Sequence, residues 1–221
     1  MSWESTALYY KIINQTIKHE LGGLHSTKLL LYSVNFAEIE KCQASGDWDK
    51  SAKILTDGAL KLQTAGADYI AICTNTMHKV ANKIQQNISI PIIHIADETA
   101  KALIQNKIST VGLLGTKYTM EQDFYKQRLI DRNIAIVIPN PNDRKIVNDT
   151  IYNELCLGTV NPLSKKKFLD ILSKLKENGA QGIILGCTEI GMLLKQEDTN
   201  IPLFDTTEIH AKNIAKMSIE K

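Results

Sequence analysis

Four cysteines are spread along the chain: Cys42, Cys73, Cys156 and Cys187. None forms a C-x-x-C pair, and no Cys/His cluster has zinc spacing, so reduced thiols and no metal site are expected. Cys187 is the one placed for chemistry. It lies in Gly-Cys-Thr-Glu-Ile-Gly, directly after the apolar run 182–186. A cysteine that leaves a buried strand into a polar turn ahead of a helix is a candidate nucleophile or base. The helix N-terminus lowers a thiol pKa from its reference of about 8.5. Taken alone, a buried structural thiol fits the same placement.

A second stretch repeats this arrangement. Gly-Ala-Asp-Tyr-Ile-Ala-Ile-Cys-Thr-Asn-Thr-Met-His starts at Gly66, and Gly-Ala-Gln-Gly-Ile-Ile-Leu-Gly-Cys-Thr-Glu-Ile-Gly starts at Gly179, 113 residues later. Aligned without gaps, Thr74 falls on Cys187, Asn75 on Thr188 and Thr76 on Glu189. Downstream, Ile90-Pro91 matches Ile201-Pro202, and Ala100-Lys101 matches Ala211-Lys212. Each copy reads helix, buried strand, polar turn, helix, Ile-Pro strand. In open α/β sheets, ligands bind beyond the carboxyl ends of the strands. Two such lobes facing one another would set Thr74 and Cys187 on opposite walls of a cleft.

The elements that position these residues follow from the apolar runs. Strands are expected at 28–34, 69–73, 91–95, 110–114, 134–138, 182–186 and 202–204, because continuous Val/Ile/Leu runs suit a parallel sheet covered on both faces. Amphipathic helices are expected at 4–20, 48–65, 76–87, 97–106, 119–132, 143–157, 163–178 and 207–220. Breakers such as Gly22-Gly23, Gly66, Gly158, Pro162 and Gly179 punctuate them. The run Lys165-Lys166-Lys167 reads as a solvated helix start. The alternation means an α/β fold of two pseudo-symmetric lobes, each a parallel sheet flanked by helices. The boundaries are 1–93 plus 205–221 for the N-terminal lobe and 94–204 for the C-terminal lobe.

Composition narrows the function. The chain has 221 residues, 43% hydrophobic and 23% charged, which is ordinary for a globular protein. A net charge of +2 is too weak to argue for a nucleic-acid surface. No apolar stretch is long enough to span a membrane. The start, Met-Ser-Trp-Glu-Ser-Thr, lacks the blocks of a signal peptide, so a cytoplasmic location is expected.

The paired motifs Ile-Ala-Ile-Cys-Thr-Asn-Thr-Met-His (70–78) and Ile-Leu-Gly-Cys-Thr-Glu-Ile (184–190) resemble the two signatures of the aspartate/glutamate racemase superfamily. Met1–Thr6 resembles its first phosphate-loop-like turn. Val-Gly-Leu-Leu-Gly-Thr (111–116), followed by Thr119, resembles the turn that opens its second lobe. The likeness runs the length of the chain and is closest to the broad or L-specific group. It implies racemisation by two bases on opposite faces of Cα, without pyridoxal phosphate, metal or other cofactor. It implies a small amino-acid substrate and a homodimer. Position by position, Cys187 matches the second catalytic cysteine, and Thr74 occupies the other base's place. Ser2, Gln43, Asn75, Thr76, Thr116, Lys117, Thr119, Thr188 and Glu189 are the implied substrate-binding residues. His78 and His210 sit in family-like contexts near the cleft.

Three departures bear on this expectation. Thr74 has no acidity near neutral pH, and Cys73, one residue back, points to the opposite strand face unless the strand end distorts. The loop from Ser33 carries no arginine for a distal carboxylate, and Asn161 stands where a lysine is expected; Gln43, Lys117 and Lys165 are the substitutes. The family pattern also carries a strand of roughly eight residues before Met1 that the sequence does not include. Two other readings remain: a single-cysteine decarboxylase or isomerase of the same superfamily, and a non-catalytic amino-acid-binding protein.

Overall fold

The computed structural model describes residues 1–220. They form two compact units. One comprises Met1–His94 together with the chain from His210, and the other Ile95–Ile209.

In the first unit, helix α1 (Trp3–Leu21) is followed by α2 (Phe36–Ser45) and α3 (Trp48–Thr64). Strand β1 (Ile70–Ala71) leads through a 3-10 turn, Thr76–Val80, into α4 (Ala81–Gln85). Strand β2 (Ile92–Ile93) pairs parallel to β1, with Ile70 opposite Ile92. Side chains of β1 alternate as the pleat requires. Ile70 and Ile72 join Ile39, Met77, Val80 and Ile84 in one core. Ala71 and Cys73 pack on the other face with Tyr9, Ile13, Ile17 and Ile214.

The second unit runs α5 (Ile95–Gln105), β3 (Thr110–Gly115), α6 (Lys117–Glu121), α7 (Asp123–Ile130) and β4 (Ala135–Val137). Helices α8 (Pro141–Asn153) and α9 (Pro162–Glu177), strand β5 (Gly182–Gly186), α10 (Ile190–Leu193) and β6 (Leu203–Asp205) come next. Helix α11 (Thr206–Met217) closes the chain. The sheet is parallel, in the order β4-β3-β5-β6. Both of its faces are covered. Ile183 and Leu185 enter a core with Phe168, Ile171 and Leu172, while Ile184 enters another with Leu103, Tyr125 and Leu129.

The repeat is visible in hydrogen bonds, not only in letters. Gln85 Nε2 donates to the carbonyls of Ile88 and Ile90, and its Oε1 accepts from Ile92 N–H. Gln196 makes the same three bonds with Thr199, Ile201 and Leu203. Gly66 and Gly179 both adopt positive φ, 91° and 93°, which costs a glycine nothing and ends the preceding helix. Ile70 and Ile183 each donate to the carbonyl of the proline heading the next strand, Pro91 and Pro202, at 2.8 Å.

Three expectations are corrected. Residues 28–34 form no strand; Leu30 and Leu31 are half exposed. The segment from Ser33 is not a loop throughout. Asn35 accepts from Ala37 N–H and starts α2, which buries Ile39, Cys42 and Gln43 on one face. The helix expected at 119–132 breaks at Gln122, whose backbone is extended, into α6 and α7.

Candidate active site

The carboxyl ends of neighbouring strands gather the second unit's candidates. Strands β3 and β5 run in register to Gly115 opposite Gly186, and the next residues are Thr116 and Cys187. Gly186 must be small, since a Cβ there would meet Leu114 O at 2.7 Å. Thr116 caps α6: its Oγ1 accepts from Thr119 N–H at 3.4 Å and lies 3.3 Å from Thr119 Oγ1. Thr119 is fully buried. Lys117 is exposed, with its amide donating to Asn148 Oδ1.

Cys187 Sγ donates to Glu189 Oε2 at 3.0 Å, and Thr188 Oγ1 donates to the same oxygen at 2.6 Å. Burial pushes the Cys187 thiol well above its ordinary value, and the Glu189 carboxylate adds to this. Burial also pushes Glu189 upward, but the bonds from Cys187 and Thr188 outweigh it and hold the carboxylate below its ordinary value. The resting state is therefore a protonated thiol donating a hydrogen bond to an ionised carboxylate.

Asp205, at the end of β6, was not singled out from the sequence. Its Oδ1 accepts from the amides of Thr207 and Glu208, and burial raises its pKa. The repeat held the signal: Asp205 falls on His94, each four residues past the Ile of Ile-Pro. Of the substitutes considered for a distal carboxylate, Lys165 is paired with Asp198 at 2.7 Å. Asn161 caps α9 by accepting from Leu163 N–H.

In the first unit, Ser2 caps α1: its Oγ accepts from Ser5 N–H and donates to Ser5 Oγ, at 3.1 and 3.0 Å. Thr74, part-buried after β1, accepts at its carbonyl from His78 Nδ1–H at 2.8 Å. That bond ties down the turn carrying Asn75 and Thr76, both buried. Gln43 comes to the same turn from α2, its Nε2 donating to Met77 Sδ at 3.0 Å. Cys73 faces the α1 side of the strand, and burial pushes its thiol up to about 11.

Behind the turn lies a histidine group. The His78 and His94 rings are 4.4 Å apart, and His78 and His210 are 6.0 Å apart. His210 Nε2–H donates to Ile93 O at 2.9 Å, so its Nδ1 accepts from Tyr9 O–H at 2.8 Å. Burial lowers the His210 pKa to about 4 and keeps the ring neutral. Tyr9 and His94 had no motif to mark them. Among the described residues no group of His, Cys, Asp or Glu could hold a metal ion, and no helix is long and apolar enough to cross a membrane.

The profile of the Asp/Glu/hydantoin racemase family matches residues 1–214. A broad specificity amino-acid racemase, RacX of Bacillus subtilis (strain 168), is 31% identical over 76% of this chain and 72% of its own. The crystal structure of a candidate Asp/Glu racemase from Yersinia pestis superposes with a TM-score of 0.93 at 50% identity, covering 99% of this chain and 96% of that one. That of an aspartate racemase homologue from Pyrococcus horikoshii OT3 gives 0.85 at 32% identity, over 98% and 95%. With strand-end turns that carry a thiol in one unit and a threonine in the other, this chain belongs to the Asp/Glu/hydantoin racemase family and is an amino-acid racemase.

Proposed function

We propose that this chain racemises aspartate, glutamate or both, and that it works chiefly from the L enantiomer. The observation that carries the reading is the Cys187–Glu189 pair at the end of β5, with threonine at the equivalent place in the repeat. Two-base exchange needs one group for each face of Cα. Cys187 serves as the base for the L form: after its thiol proton has left to solvent, the thiolate takes the Cα proton to become a thiol, which gives that proton up to solvent before the next turnover. A proton then reaches the other face from a solvent water or from the Thr74 hydroxyl, which solvent reprotonates. Thr74 has no accessible anion at neutral pH, so removal of the D-form proton is slow. A catalyst leaves the final ratio of enantiomers unchanged; the asymmetry lies in the rates.

The hydroxyls of Ser2, Thr76, Thr116, Thr119 and Thr188, with the Asn75 amide, are assigned to the substrate's carboxylate and to the charge that builds on it. Gln43 and Lys117 are assigned to the distal carboxylate. No pyridoxal phosphate or metal enters the scheme. A homodimer in the cytoplasm accompanies the reading and is checked by light scattering and by cell fractionation.

The test is α-proton exchange in deuterated water, started separately from each enantiomer of aspartate and glutamate. Rapid exchange from L and slow exchange from D supports the reading. Label found only in a decarboxylated product would mark a decarboxylase, and binding without exchange a non-catalytic protein. Equal rates from both enantiomers would show that another base fills the place of Thr74.

A further inference from the structure

The repeat sets the same two places side by side in both units, but fills them differently. His78 falls on Gly191, and His94 on Asp205. In the second unit the carboxylate takes the room a side chain at 191 would need: a Cβ on Gly191 would meet Asp205 Oδ2 at 2.5 Å. In the first unit both places hold imidazoles, 4.4 Å apart and inclined at 60°.

The turns in front of these pairs are also closed differently. In the second unit the Cys187 carbonyl accepts from Ile190 N–H at 3.1 Å, so the main chain holds the peptide that follows the thiol. The counterpart of that bond would run from Met77 N–H to the Thr74 carbonyl. The main chain of the first unit closes one residue later, with His78 N–H donating to Asn75 O at 3.0 Å. The Thr74 carbonyl accepts from the side chain instead, from His78 Nδ1–H at 2.8 Å. Thr74 is thus held by unlike bonds at its two ends. Its amide donates to Ile72 O at 2.8 Å, and its carbonyl depends on an imidazole.

A trans peptide is planar, with its C=O and N–H pointing opposite ways. Drawing the Thr74 carbonyl toward His78 therefore turns the Asn75 N–H away from that ring. It also fixes the plane from which the Thr74 and Asn75 side chains leave. The ring that does this is itself held. His78 is buried, and the His94 ring lies edge-on to it. His94 follows Ile93, whose carbonyl accepts from His210 Nε2–H, and Tyr9 O–H donates to His210 Nδ1. Helices α1 and α11 and the end of β2 so converge on the one side chain that grips the turn.

We propose that His78 is a positioning residue for inversion: by donating to the Thr74 carbonyl it sets the directions of the Thr74 hydroxyl and the Asn75 amide, and with them the delivery of a proton to the face of Cα that Cys187 does not serve. This rests on the reading that Thr74 stands in the place of the second base. His78 acts through Thr74 and gives up no proton itself. The second unit needs no such residue, because its own main chain closes the turn at Cys187.

Deuterated water separates two events that begin from the L form. Label can return to the same face through Cys187, or the product can be inverted, which needs the Thr74 side. The readout is the ratio of inverted to retained labelled product. His78→Phe keeps a buried ring and removes the donor. We expect the ratio to fall about tenfold or more, with KM changed by less than about threefold. His78→Asn keeps an N–H donor near the place of Nδ1 and should bring the ratio back to within about threefold of the wild type. An unchanged ratio in His78→Phe overturns the proposal, and so does a His78→Asn no better than His78→Phe. Equal slowing of both events also overturns it, since that is what a purely structural histidine gives. A second measurement needs neither a variant nor turnover. In wild-type protein with isotope-labelled histidine nitrogens, His78 should carry its proton on Nδ1, and that proton should exchange with water slowly enough to give its own NMR signal. A proton found on Nε2 alone, or averaged with water, refutes the proposal. Failure of the proposed substrate shows itself separately: the wild type then inverts neither aspartate nor glutamate, and the ratio is read on the amino acid that it does invert.

Discussion

Residues 28–34 and strand β4 are a comparison in what makes a strand. Lys-Leu-Leu-Leu-Tyr-Ser-Val holds five apolar residues and Ala-Ile-Val three, yet only the latter is a strand. Strand β4 has β3 beside it, and Thr110, Val111 and Gly112 pair with Ala135, Ile136 and Val137. Residues 28–34 have no such neighbour, and Leu30, Leu31 and Tyr32 are 50%, 51% and 41% exposed. A strand is completed by its partner's backbone, so strand propensity acts only where a ladder exists to join. The same contrast appears in β1, held on one edge, against β5, held on both.

The functional turns differ between the units in a parallel way, and the largest expected effect tests that difference. Cys187→Ala should lower α-proton exchange from L-aspartate or L-glutamate by about 10²–10⁴-fold, while isothermal titration still detects binding. Cys187→Ser retaining most activity would remove Cys187 from its role. Because burial and Glu189 raise the Cys187 pKa, exchange in the wild type should climb as pH rises through 8 and 9. Glu189→Gln removes the neighbouring charge and should shift that climb to lower pH.

The next effect belongs to the first unit alone. His210 takes up its proton near 6.5 when unfolded but only near 4 when folded. Between those values the unfolded chain holds the extra proton, so stability falls as pH drops from about 6.5 to about 4 and levels off below. The full loss is on the order of 3 kcal/mol. Urea unfolding at stepped pH measures it, and His210→Gln should flatten the slope in that window.

Thr74→Cys would make the turns alike. It should speed exchange from the D enantiomers by about 10²-fold and leave the L direction much less changed. Smallest is a packing pair at equivalent positions. Ile183→Ala, between two strands, should cost about 4 kcal/mol, and Ile70→Ala, on a strand held on one edge, about 2 kcal/mol. Denaturant melts of the two variants give the difference directly; equal losses would mean that β1 is packed as tightly as β5.

Much of this was legible in the chain as written. Every β strand of the structure overlaps an expected apolar run, because a run covered on both faces must be apolar throughout. The duplication was readable from Gly-Ala and Ile-Pro, since both mark turns that only certain residues make. Helix α2 was missed because its buried stripe is short and includes Gln43, a polar residue no hydropathy pattern counts. The break at Gln122 was missed for a similar reason: no glycine or proline announces it.

Local order along the chain determined the alternation of strands and helices, the repeat, and the place of Cys187 after β5. Those come from periodicity and from turn chemistry, which act between near neighbours. Only the tertiary structure decided that 28–34 stays unpaired, that Cys73 packs against α1, and that His210 remains neutral between Tyr9 and Ile93. Pairing, burial and the field at a titrating group are set by residues far apart in sequence, and no local pattern encodes which of them will meet.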